Sequence, residues 1–251
     1  IFDMPNDLSE FSDAEEFYRY ITEHSSSIRI VDDIINVKDQ EQFLRLARKI
    51  KPNKVSDMEA LRMADRLFET DVTIPEAKKI LVILALRSNI EAFRVIEKYK
   101  EVAPPKLQDF ARFSFYISRT LVEGDLSDNP PSLISTGLGG KNNKLRMFIA
   151  IFPSFEGTFS ENQARIIRME WEETCKNYQI ETEKLHFLFE YTSLRILVPL
   201  NIDLTDVIKE FINECNKYGN FIFEGFFATN VTLPTHREIL TAIEKVKNQH
   251  S

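Results

Sequence analysis

The chain of 251 residues is short of several things, and each shortage closes off a class of protein. Two cysteines are too few for a disulfide framework, and a chain of this length and apolar content can build a core without one. Seven glycines and ten prolines, beside 20 phenylalanines and 43% hydrophobic residues, exclude collagen-like, low-complexity and wholly disordered chains. No apolar run nears the ~18 residues of a membrane-spanning helix, and the longest, Ile80 to Leu86, is about a third of that. Basic residues are also outnumbered. The 32 Lys and Arg against 39 Asp and Glu leave a net charge of -7, which argues against non-specific affinity for nucleic acid or anionic lipid, because counterion release needs a basic face. The chain begins at Ile1, as a processed, trimmed or renumbered product is expected to, and Ile1 to Asp7 lack the basic start and apolar centre of a secretory signal. A cytoplasmic location is expected.

The first half carries a repeated helix-start signal. Ser12 to Glu15, Ser56-Asp57-Met58-Glu59, Thr73-Ile74-Pro75-Glu76 and Ser88-Asn89-Ile90-Glu91 each place a hydroxyl three residues before Glu, so side chain and backbone can satisfy each other's free donors. Amphipathic runs follow: Leu61, Ala64, Leu67 and Phe68, then Ile80, Leu81, Leu84 and Ala85, then Phe93, Ile96 and Tyr99. Pro52 and the pair Pro104-Pro105 punctuate them, and a further helix is predicted from about Lys106 to Val122. This all-α region, residues 1–124, resembles the paired helices of a HEAT-type α-solenoid, with a small helical bundle as the equal alternative.

From 125 to 143 the chain has no period and holds three of the seven glycines, the composition of a connector rich in Gly, Pro and Asn. Beyond it, residues 144–251 alternate as strands do. The predicted elements are a strand over 145–152, a helix over 160–178 opened by Ser160-Glu161-Asn162-Gln163, a hairpin of 184–191 with 194–200 about Thr192-Ser193, a helix over 204–218 ended by Gly219, and a strand over 221–231. The order β-α-β-β-α-β is that of a ferredoxin-like plait with an antiparallel sheet, and a last helix begins at Thr235-His236-Arg237-Glu238. The fold expected is therefore α+β. In the plait Cys175 and Cys215 fall near the C-termini of antiparallel helices, too far apart to bridge.

Candidate chemistry gathers at the connector. Ser135, Thr136, Gly137, Gly139, Gly140, Lys141 and Asn142, with Lys144 and Arg146 beside them, are the expected ligand- or partner-binding residues, since glycines let backbone N–H groups converge on an anion and the cations add charge. The nucleotide motifs fail: a Walker loop needs Gly at Ser135 and Ser or Thr at Asn142, and a dinucleotide fingerprint needs Gly at Asn142. Lys141, Lys144 and Arg146, together with Arg165 and Arg168, are a candidate basic patch, although residues 144–251 hold 12 basic against 15 acidic side chains, net -3. The strand Leu194 to Pro199 lacks the aromatic residues on which an RNA-recognition sheet stacks bases. His24, His186, His236 and His250 show no metal spacing, no catalytic motif is found, and Glu170-Glu172-Glu173 and Glu181-Glu183 read as solvated surface. No metal, cofactor or catalytic residue is expected.

One sheet face, with Leu145, Met147, Ile149 and Ile151, packs on the helices; the other, with Phe148, Ala150, Phe152, Leu188 and Leu197, is also apolar and calls for a cover, from the chain's own helical half or last helix, from a copy, or from a ligand. The function expected is a non-enzymatic cytoplasmic protein-interaction or regulatory module. Its partner is another protein or a second copy at the apolar sheet face, with no nucleic acid and no membrane. The alternative is a sensor or enzyme that takes a small anionic or phosphate-bearing ligand at residues 135–144.

Overall fold

Two of the four start signals of the first half form the caps they predict. In this computed structural model, which describes residues 27–50, 55–127 and 131–249, Ser56 Oγ accepts from Glu59 N at 3.2 Å and Thr73 Oγ1 from Glu76 N at 3.4 Å. The third box is displaced by one residue: Asn89 Oδ1 accepts from Glu91 N and Ala92 N, while Ser88 Oγ donates to Leu121 O. Asn is as good an N-cap as Ser and freed Ser88 for a contact with a neighbouring helix. The box at Ser12, Pro52, His24 and His250 lie outside the described residues.

The described residues through Gly137 form one compact unit and those from Leu138 a second. The first runs β1 (Ile28–Ile30), α1 (Val37–Lys49), α2 (Asp57–Ala64) with a tight turn to Phe68, α3 (Ile74–Ala85), α4 (Ile90–Val102), α5 (Gln108–Asp125) and β2 (Ser132–Ile134). From Ile80 to Ala85 every residue of α3 is buried, so the longest apolar run of the sequence is the central helix of this unit rather than a membrane span. Among the described residues no helix is long and apolar enough to cross a membrane. Phe43 packs on Phe110 and Phe113 at ring centroid distances of 5.6 and 5.3 Å and ties α1 to α5. β1 and β2 pair in parallel, Arg29 opposite Leu133, an addition that the helical pattern does not predict. Three residues per strand are too few for a legible alternation.

The second unit is the α+β plait: β3 (Gly140–Lys141), β4 (Lys144–Ile151), α6 (Glu161–Tyr178), β5 (Glu181–Phe187), β6 (Thr192–Pro199), α7 (Leu204–Asn216), β7 (Phe227–Thr229) and α8 (His236–Gln249). The sheet is antiparallel, with β4 and β6 central, β5 outside β6, and β3 and β7 both on the free edge of β4. The Ser160–Gln163 capping box is complete, and Gly219 at φ 134° follows α7 in a conformation that side chains rarely adopt. Three strand boundaries differ from expectation. β5 starts at Glu181 rather than at 184. β6 begins at Thr192, whose β-branched side chain sits in the ladder opposite Phe187, and the turn lies at 188–191. β7 is only three residues long, because the chain at 221–223 follows the edge past the end of β4, Phe223 N donating to Phe152 O, before it reaches Gly225.

Ile149, Ile151, Leu194, Ile196 and Val198 pack on Ile167, Trp171, Ile208 and Phe211 of the two helices. Cys175 and Cys215 are free, and Cys215 is buried.

Candidate functional site

The side of the sheet away from α6 and α7 has two halves. Over one, α8 lays Ile239 and Ile243 on Phe148, Ala150 and Phe152, with Phe223 and Phe227 beside them. This is the cover that the second apolar face required, supplied by the chain's last helix. Its first residue is held: Tyr191 Oη and His236 Nδ1 lie 3.1 Å apart with their rings stacked at 5.6 Å.

The other half is charged. Residues that pair across strands share a face, so the register places Lys141 with Lys144, Arg146 with Leu197, Arg195 with Phe148 and Lys184 with Arg195, all on the second face. A β-bulge between Thr182 and Lys184 adds one residue to β5. Thr182 keeps its place toward the helices, where its hydroxyl accepts from Trp171 Nε1 at 2.8 Å, while the extra residue, Glu183, turns to the second face. There its carboxylate takes a two-pronged contact from Arg146, Nε at 2.8 Å and Nη2 at 2.9 Å, and lies 2.9 Å from Arg195 Nε. The Arg146 hydrogen bonds hold the Glu183 carboxyl below the usual carboxylate range, against a smaller opposing effect of burial, and the charges of Arg146 and Arg195 add to the lowering. Lys144 Nζ bridges Gln179 O at 2.6 Å and Glu181 Oε1 at 2.7 Å. Among the described residues the face thus carries five cations, Lys141, Lys144, Arg146, Lys184 and Arg195, against two carboxylates, Glu181 and Glu183. Lys141 and Lys184 are exposed.

The expected site residues divide between the two units. In the first, Ser135 Oγ donates to Gln40 Oε1 at 2.8 Å, Thr136 O accepts from Gln40 Nε2 at 3.3 Å, and Gly137 O accepts from Ile35 N at 3.1 Å. In the second, Gly139 at φ 63° leads into a two-residue hairpin in which Asn142 and Asn143 both have positive φ, at 51° and 61°. Gly140 is a ladder residue opposite Leu145, so the glycine stretch is a strand and turn, and its backbone serves pairing. The hairpin brings Lys141, Lys144 and Arg146 together. It does not bring them to Arg165 and Arg168, which lie on α6 across the sheet, where the Arg168 guanidinium sits 4.5 Å over the Phe187 ring. Glu183, expected as solvated surface, is partly buried and organises the patch. The bulge that turns it leaves no mark in composition, and nothing in the sequence marks Lys184 or Arg195 as its neighbours. Among the described residues no group of three or more His, Cys, Asp and Glu is placed to hold a metal ion.

No protein-family model and no curated protein sequence matches this chain. Among solved structures, the chain is similar to a REP-associated tyrosine transposase bound to a REP hairpin, at 10% identity and a TM-score of 0.32, over 43% of this chain and 70% of that one. The expectation of a protein-interaction or regulatory module is corrected. Within this chain the apolar sheet face on which that expectation rested is occupied by α8. The small-ligand alternative goes with it, since the backbone that was to cradle the anion is a hairpin ladder.

Proposed function

We propose that the unit from Leu138 onward binds single-stranded nucleic acid along the second face of its sheet. One observation carries this: among the described residues, five cations against two carboxylates share one sheet face, in a chain whose net charge is -7. A polyanion responds to local potential, and the whole-domain charge that argued against nucleic acid averages over the acidic helices α6 and α7. Lys144, Arg146 and Arg195 are held by Glu181, Glu183 and backbone carbonyls, so little side-chain freedom is lost when phosphates arrive. A basic sheet face has no helix or ribbon to insert into a duplex groove, whereas an unpaired strand can lie across it. A cytoplasmic setting belongs to this reading, in keeping with two free thiols.

The test is fluorescence anisotropy of a labelled oligothymidine of roughly 12 nucleotides, a length within the usual site size, titrated with the whole protein from about 50 to 200 mM salt. Saturable binding that weakens with salt supports the proposal. No binding at micromolar protein in the lowest salt contradicts it.

A further inference from the structure

Resting on that reading, we infer that one nucleotide of the bound strand is received in the groove between α8 and the edge strand β7, its base on Phe227 and its phosphates on Arg237 and Lys245. The groove is about 500 Å³, and its walls include Phe227, Ala242 and Val246 on the apolar side and Arg237, Thr241 and Lys245 on the polar side. That volume lies in the range of small-ligand sites, which runs from roughly 300 to 1,000 Å³.

Three features fit a nucleotide better than a purely apolar or a purely anionic guest. Among the described residues Phe227 is the one aromatic residue lining the groove and is half-buried, whereas Phe148 and Phe152 are sealed beneath α8. Arg237, Thr241 and Lys245 follow at intervals of four residues along one stripe of α8, which spaces the two exposed cations by about 12 Å along the helix. The carboxylate in the groove, Glu238, is turned back to the helix start, where it accepts from Thr235 N at 2.7 Å and Thr235 Oγ1 at 2.8 Å. Phe227 pairs with Ala150 and Lys141 with Lys144, so β7 and β3 line the same edge of β4, and the groove continues the basic face along that edge.

Stacking and phosphate contact leave different signatures, which the same anisotropy titration separates. Phe227→Leu keeps an apolar side chain and removes the ring; it is expected to weaken oligothymidine binding about fivefold to a hundredfold with the salt slope unchanged. Phe227→Tyr restores the ring and the affinity. Arg237→Ala with Lys245→Ala, both exposed positions that leave the fold intact, is expected to reduce the slope of log K against log salt by about 1.4, or ~0.7 for each phosphate released. If wild-type protein binds, Lys141→Ala with Lys184→Ala weakens it, and these three variants bind as wild type does, the groove is not a subsite and the sheet-face proposal survives. If wild-type protein does not bind, both fall.

Discussion

Arg146 grips Glu183 with two nitrogens, 2.8 and 2.9 Å from its two carboxylate oxygens, and this contact turns the one bulged residue of β5 into the organiser of the second sheet face. Removing the charge while keeping the shape separates its two roles. Glu183→Gln is expected to lower stability by about 2 kcal/mol, the usual scale for a charge-assisted hydrogen bond, and to tighten binding to oligothymidine, since the face loses a carboxylate. Thermal melting and anisotropy on the same variant check both signs.

The same contact predicts a pH dependence. Glu183 is held below its ordinary range in the folded chain, so the unfolded chain binds the proton more readily. The stabilisation is complete above the unfolded value of about 4.3 and is lost as pH falls through the lower folded value. Between pH 6 and pH 3 the melting temperature of wild-type protein is expected to fall more steeply than that of Glu183→Gln, as measured by melting across a pH series.

Lys141 and Lys184 are exposed cations of the face. Replacing both by Ala is expected to lower the salt slope of strand binding by about 1.4 while moving stability by no more than about 0.5 kcal/mol. A large loss of stability with an unchanged slope would assign these lysines to the fold.

Burial pushes the Cys215 thiol up to about 12, helped by Glu170 and Glu214, and burial likewise raises Cys175. Neither side chain presents thiolate near neutral pH, so both are expected to react slowly with a disulfide reagent at pH 8 in the folded protein and fast in denaturant. Timed thiol titration with and without urea checks this.

Legibility in the sequence followed the range of the interaction. Caps act over three residues, so Ser56, Thr73 and Ser160 could be read directly, and the strand and helix order that defines the plait follows from periods only slightly longer. The alternation of Phe148, Ala150 and Phe152 shows that the second face needs a cover, but only the tertiary packing of Ile239 and Ile243 identifies that cover as the last helix. The hairpin at Asn142-Asn143 was hidden by its glycine neighbours: the positive φ that two asparagines adopt is a turn signal, yet the surrounding composition reads as a connector. Lys184, Arg195 and Glu183 were hidden for a stronger reason. They meet only through strand register and a bulge, and a shift of one residue in either would send them to the opposite face.

The most direct test of the basic-face proposal is a map of backbone amide shifts, by two-dimensional NMR of the whole labelled protein, as oligothymidine is added. The account predicts shifts gathered on Lys141, Lys144, Arg146, Lys184 and Arg195, with α6 and α7 unmoved. Shifts confined to the helical unit or to α6 and α7, or no shifts at all, would contradict it.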